Sequence, residues 1–173
     1  MEYLEIVLAD INKQYIDSIL RQELKITTDS VISSHFFDKL ENTDKEYGDV
    51  SNLASYFSTP NTANIFVKKL TLGENITNVM VVMSFDADLG DIILNFCEHD
   101  FITKDTNILK FKVISLVNRL IEIQHEYEIK SIRLGYESVI DDENVVLNIT
   151  NGEVVVFNKF KGQLSRVIEQ VYG

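Results

Sequence analysis

The chain has 173 residues, of which 45% are apolar and 25% charged, and its 27 acidic and 16 basic residues leave a net charge of -11. That size suits one domain, since about 150 residues already bury about 70% of the surface exposed by the unfolded chain, and the composition is far from that of disordered or coiled-coil proteins. The excess of carboxylates argues against gripping phosphate backbones or anionic lipid and favours encounter with cationic surfaces.

In chain order, Ile11, Tyr15 and Ile19 beside Ile16, Leu20 and Leu24 form adjacent stripes that predict an amphipathic helix over residues 11–25. The apolar run at 3–8 fits either an extension of that helix or a strand. Asp29 is placed to cap a second helix with Ile32, Phe36 and Leu40 on one face, and a third short helix is expected over 52–57. Pro60, the single proline, divides a helical part (about 1–59) from a sheet-rich part (about 61–173) of one domain spanning 1–173. Segments 64–71, 78–85 and 91–98 are rich in Val, Ile, Phe and Met and predict three consecutive strands. Residues 108–129 return to helical period, with Asp105 or Thr106 placed as cap, and this helix should cover the sheet. A strand is expected at 131–136, then a hairpin of 145–149 with 153–157 around Asn151-Gly152. A closing helix carries Phe160, Leu164, Val167, Ile168 and Val171. The predicted class is α+β: N-terminal helices, a largely antiparallel sheet covered by a long central helix, and a C-terminal hairpin and helix.

Cys97 is the single cysteine, which excludes an intramolecular disulfide and fits a reducing, cytoplasmic setting; no apolar run reaches the length of a membrane span. Dinucleotide, P-loop, serine-hydrolase and zincin motifs are missing, and His35, His99 and His125 fall on three different predicted elements, so neither a cofactor nor a catalytic apparatus is expected. Asp86-Ala87-Asp88-Leu89-Gly90-Asp91 fails as a calcium loop because Cys97 stands where a bidentate Glu belongs, and reads as a polar hairpin turn. Cys97 and His99 share a face if the strand continues that far, which leaves open a small metal- or cysteine-dependent enzyme beside the simpler reading of Cys97 as a packing residue or half-exposed thiol.

Carboxylates concentrate in two places. Residues 85–101 carry Asp86, Asp88, Asp91, Glu98 and Asp100 with no Lys or Arg, and a second cluster holds Glu137, Asp141, Asp142 and Glu143. Either these are solvated turns, or they form an acidic rim that meets Lys and Arg on a partner, with Tyr136 as anchor or as core. Residues 1–60, with 11 acidic and 5 basic residues, supply a rival acidic surface.

The run Phe85-Asp86-Ala87-Asp88-Leu89-Gly90-Asp91-Ile92-Ile93-Leu94-Asn95-Phe96, a long helix, then Ile132-Arg133-Leu134-Gly135-Tyr136-Glu137 with acidic residues and a last hairpin resembles immunity proteins of bacterial polymorphic toxin systems, including contact-dependent growth inhibition. The resemblance, over roughly residues 77–157, implies a cytosolic protein that binds a cognate toxin domain, often a nuclease, and blocks it. Nucleases are usually basic because they grip phosphate, so an acidic inhibitor matches on physical grounds. A nucleic-acid mimic or general adaptor would use the same acidity.

Overall fold

A computed structural model describes residues 2–86, 88–139, 143–157 and 162–173. Strand β1 (Tyr3–Asn12) leads through helical turns at Lys13–Tyr15, α1 (Ile16–Ser18) and Ile19–Glu23, and then through a turn at Thr28–Ser30. β2 (Val31–Asp38), β3 (Thr43–Lys45), a turn at Tyr47–Asp49 and α2 (Leu53–Tyr56) precede β4 (Asn61–Leu72), β5 (Glu74–Phe85) and β6 (Leu89–Cys97). α3 (Glu98–Phe101), α4 (Thr106–Glu126), β7 (Ser131–Tyr136), β8 (Val145–Thr150), β9 (Glu153–Val156) and α5 (Gln163–Tyr172) complete the described order. Among the described residues, nine strands form one sheet in the order β3-β2-β4-β5-β6-β1-β7-β8-β9, with every neighbouring pair antiparallel. The α+β class, the three-strand meander, the capped long helix and the C-terminal hairpin agree with the sequence reading; Phe160 of the closing helix lies outside the described residues.

At the N-terminus one open alternative is decided and one expected helix is replaced by a strand. The run at 3–8 is strand, and the helical turns start only at Lys13, where the Asn12 side chain accepts the Gln14 N–H at 3.1 Å. β1 is central in the sheet and buries Leu4, Ile6 and Leu8 on one face and Glu5 and Val7 on the other, so it lacks the two-residue contrast that marks a half-exposed strand. The helix expected around Ile32, Phe36 and Leu40 is β2. A spacing of four is even, so it fits one face of a strand as well as one stripe of a helix. In addition, a register shift falls between Val31 and Ser33, and of the three only Phe36 is buried. Asp29 therefore caps no helix there and sits in the turn Thr28–Ser30.

One face of the sheet carries the core. Ile65, Val81, Leu94, Ile6, Leu134 and Leu147 align across six strands, all buried, and α4 and α5 pack on the same cluster through Leu109, Val113, Leu120, Leu164 and Ile168. On the other face Asn64, Val82, Ile93, Val7, Arg133 and Asn148 align. A smaller cluster of Val7, Val139 and Val145 forms there because the chain after β7 folds back, with the Val139 N–H donating to the buried Glu5 carboxylate at 2.8 Å.

Candidate functional site

The acidic run 85–101 is one stretch in sequence and two places in the fold. β6 separates Asp91 from Glu98 by seven residues, about 23 Å at the rise of a strand. Asp86, Asp88 and Asp91 belong to one end of the sheet and Glu98 and Asp100 to the other.

At the first end, Asp86 closes the β5–β6 turn by donating its N–H to Leu89 O at 3.0 Å. Gly90 is required beside it, since a Cβ there would lie 2.3 Å from Ser84 O and 2.4 Å from the Phe85 ring. Two bases lie nearby: Lys13, just after β1, has its Nζ 3.4 Å from Asp88, and Lys130, just before β7, has its Nζ 2.7 Å from Asp10. The irregularity in β1 between Leu8 and Ile11 puts Asp10 at positive φ and aims its N–H at the Asp91 carboxylate, 2.9 Å away. Asp91 is thus half-buried and occupied by backbone, whereas Asp86 and Asp88 are exposed.

At the second end, Glu98 accepts the Tyr136 hydroxyl at 2.9 Å, and burial together with this carboxylate holds the phenol well above the usual tyrosine range. The Tyr136 ring packs against the main core. Asp100 accepts weakly from Asn78 Nδ2 at 3.4 Å and lies 3.6 Å from His99 Nε2. Glu137 and Glu143 are exposed near this end, because β7 finishes where β1 begins; Asp141 and Asp142 lie outside the described residues. Cys97 Sγ contacts His99 Nδ1 but is 7% exposed and also points at Glu2 O. Among the described residues, no three His, Cys, Asp or Glu side chains are grouped to hold a metal ion.

A set of residues that was not paired with Asp86 in the sequence joins it in the fold. The β2–β3 hairpin brings Asp38, Leu40, Glu41 and Asp44 to the same end of the sheet as the β5–β6 turn, because β2 pairs with β4 and β4 with β5. Reading 31–40 as helix hid this, and β3, Thr43-Asp44-Lys45, has too few β-prone residues to mark a hairpin. The acidic N-terminal segment and the 86–91 turn are therefore partly one surface.

No curated protein matches the chain. Among solved structures, it is similar to a chain in the complex of the toxic C-terminal tip of CdiA from Pseudomonas aeruginosa with an immune protein, at TM-score 0.68 and 13% identity over 92% of this chain and 99% of that one. A looser likeness, at TM-score 0.46 and 8% identity over 79% of this chain and 42% of the other, links it to a Pseudomonas aeruginosa T6SS protein. The family model of the PABL017 Cdi1I immunity protein matches residues 2–151, nearly the whole of the sheet described above. The chain belongs to the PABL017 Cdi1I immunity protein family.

Proposed function

We propose that this immunity protein neutralises its cognate toxin by stoichiometric occlusion in the cytoplasm, and that the toxin domain is a basic nuclease. The observation that carries the reading is charge: a net -11 with exposed carboxylates at Asp86, Asp88, Glu137 and Glu143 on turns at both ends of one sheet. A nuclease concentrates Lys and Arg where phosphate must sit, so a carboxylate-bearing surface competes for the same cations and accelerates encounter. No helix among the described residues is long and apolar enough to cross a membrane. The test is co-purification with the C-terminal domain encoded by the adjacent upstream gene, followed by assay of that domain on DNA and RNA. A 1:1 complex that abolishes nucleic-acid cleavage is expected. A neighbour with no growth-inhibiting domain would remove the occlusion reading, and a toxin with no action on nucleic acid would remove the nuclease part alone. Capture of many unrelated basic proteins would instead mark a general mimic.

One observation favours a second reading, a cysteine-dependent activity: Cys97 and His99 do meet at the end of β6. Metal analysis and thiol-reactivity measurements on wild type and Cys97→Ser check it. Stoichiometric zinc or manganese lost on substitution supports it; metal-free protein with an unreactive thiol removes it.

A further inference from the structure

Leu40 is 98% exposed, the most exposed of the large apolar side chains among the described residues. Single exposed leucines are ordinary, but this one sits on a turn held in place from several sides. Asp38 Oδ1 accepts the N–H groups of Leu40 and Glu41 at 2.9 and 3.1 Å, and Lys45 Nζ bridges Asp38 at 2.7 Å and Glu41 at 3.1 Å. Lys39 Nζ donates to Pro60 O at 2.6 Å, while the Tyr56 hydroxyl and Asn61 amide both donate to Phe37 O, at 3.1 and 3.2 Å. The side chain is thus presented by a preorganised backbone, which lowers the ordering cost of using it as an anchor.

Beside Leu40 lies an open groove of about 530 Å³ lined by residues that include Phe37, Tyr56, Pro60 and Asn61. A second depression of about 340 Å³, lined by residues that include Lys39, Pro60, Asn61, Ser84 and Asp86, continues from it to the β5–β6 turn. One surface therefore runs from Leu40 past Pro60 to Asp86, with Asp88 further along the β5–β6 turn and Glu41 and Asp44 on the β2–β3 hairpin. Five carboxylates, on Asp38, Glu41, Asp44, Asp86 and Asp88, stand against three cations, Lys13, Lys39 and Lys45, so this end is net negative even with Lys13 beside Asp88 and Lys45 beside Asp38 and Glu41. Another exposed apolar site, Phe111 on α4, is 68% exposed but flanked in sequence by Lys110 and Lys112, the wrong sign for a basic partner.

We propose that the cognate toxin docks on this end of the sheet, Leu40 entering an apolar depression on the toxin and Glu41, Asp44, Asp86 and Asp88 meeting the Lys and Arg around it. The inference rests on the toxin-neutralising reading and adds the surface to it. Apolar anchors set the dissociation rate, whereas exposed rim charges act on association and on its salt dependence.

The experiment measures binding of the purified full-length protein to the C-terminal domain encoded by the adjacent upstream gene, at low and high salt. Leu40→Ser should weaken binding by at least about tenfold, chiefly through faster dissociation. Asp86→Lys with Asp88→Lys should slow association and flatten its salt dependence. Phe111→Ser, Glu153→Gln and Met80→Asp, on α4, on β9 and on the second sheet face, should leave affinity within about twofold. Thermal unfolding of each variant confirms that the fold is retained. Wild-type affinity in both Leu40→Ser and the double lysine variant, or a loss confined to the three control variants, would overturn the docking surface. Absence of binding by the wild type would remove the toxin-neutralising reading itself.

Discussion

Tyr136 carries two environments in one side chain, its ring among core residues and its hydroxyl on Glu98 at 2.9 Å. Burial first, and the carboxylate second, raise its pKa. A raised folded-state pKa means that the stabilisation is complete below the unfolded value of about 10 and is lost as pH climbs through the folded value. Tyr47, Tyr56, Tyr127 and Tyr172 are shifted upward as well, each with burial as the main cause. Stability should therefore fall above about pH 10, and Tyr136→Phe should make that fall shallower while costing about 1 kcal/mol at neutral pH. Denaturant titrations at neutral and alkaline pH measure both effects. Glu23 is a second residue whose role is structural. Its side chain is 8% exposed and accepts both from Arg119 and from the Tyr127 hydroxyl at 2.8 Å, tying the first helical turns to α4. Glu23→Ala leaves the Tyr127 hydroxyl without its acceptor and Arg119 with Glu122 alone, and should cost about 1–2 kcal/mol by equilibrium unfolding.

Among the elements, α4 combines a local start signal with a mid-helix contact to a turn of the sheet. Asp105 accepts from Asn107 N at 2.9 Å and Ile108 N at 3.1 Å, so Asp105→Ala should lower stability by about 1 kcal/mol. The β4–β5 turn leans on the same helix: Gly73 has φ +68°, a Cβ there would lie 2.3 Å from Ser115 O, and Ser115 Oγ donates to Gly73 O at 3.0 Å. Gly73→Ala is expected to destabilise by about 1–3 kcal/mol, with the loss visible as a lower thermal midpoint. β2 shows why an element was misread. Ile32, Phe36 and Leu40 recur every four residues, but the bonds that make β2 a strand come from β3 and β4, which local spacing does not contain.

At the scale of the molecule, the sheet order places β1 in the interior, between β6 and β7, so the first strand in sequence completes a structure whose other strands all come later. The same order separates the carboxylates of 85–101 and joins Asp86 to the β2–β3 hairpin. With a net charge of -11, association with the basic toxin proposed above should slow steeply between about 0.05 and 0.5 M salt while dissociation changes little. Stopped-flow kinetics at several ionic strengths check this; salt-independent association would place apolar contact ahead of charge in the encounter.

The sequence by itself determined the features that depend on near neighbours: the strands from 61 to 97, where alternation or β-branched runs are local, the Asp105 cap, the Asn151-Gly152 hairpin and the acidic excess. It also carried the likeness to immunity proteins that the family match now supports. Tertiary structure decided what depends on pairing partners far along the chain. β1 is strand because β6 and β7 flank it, β2 because β3 and β4 do, and Asp91 turns inward because the Asp10 amide reaches it from 81 residues away. Which carboxylates share a surface follows from strand length and order, since a strand of nine residues sends its two ends to opposite sides of the molecule.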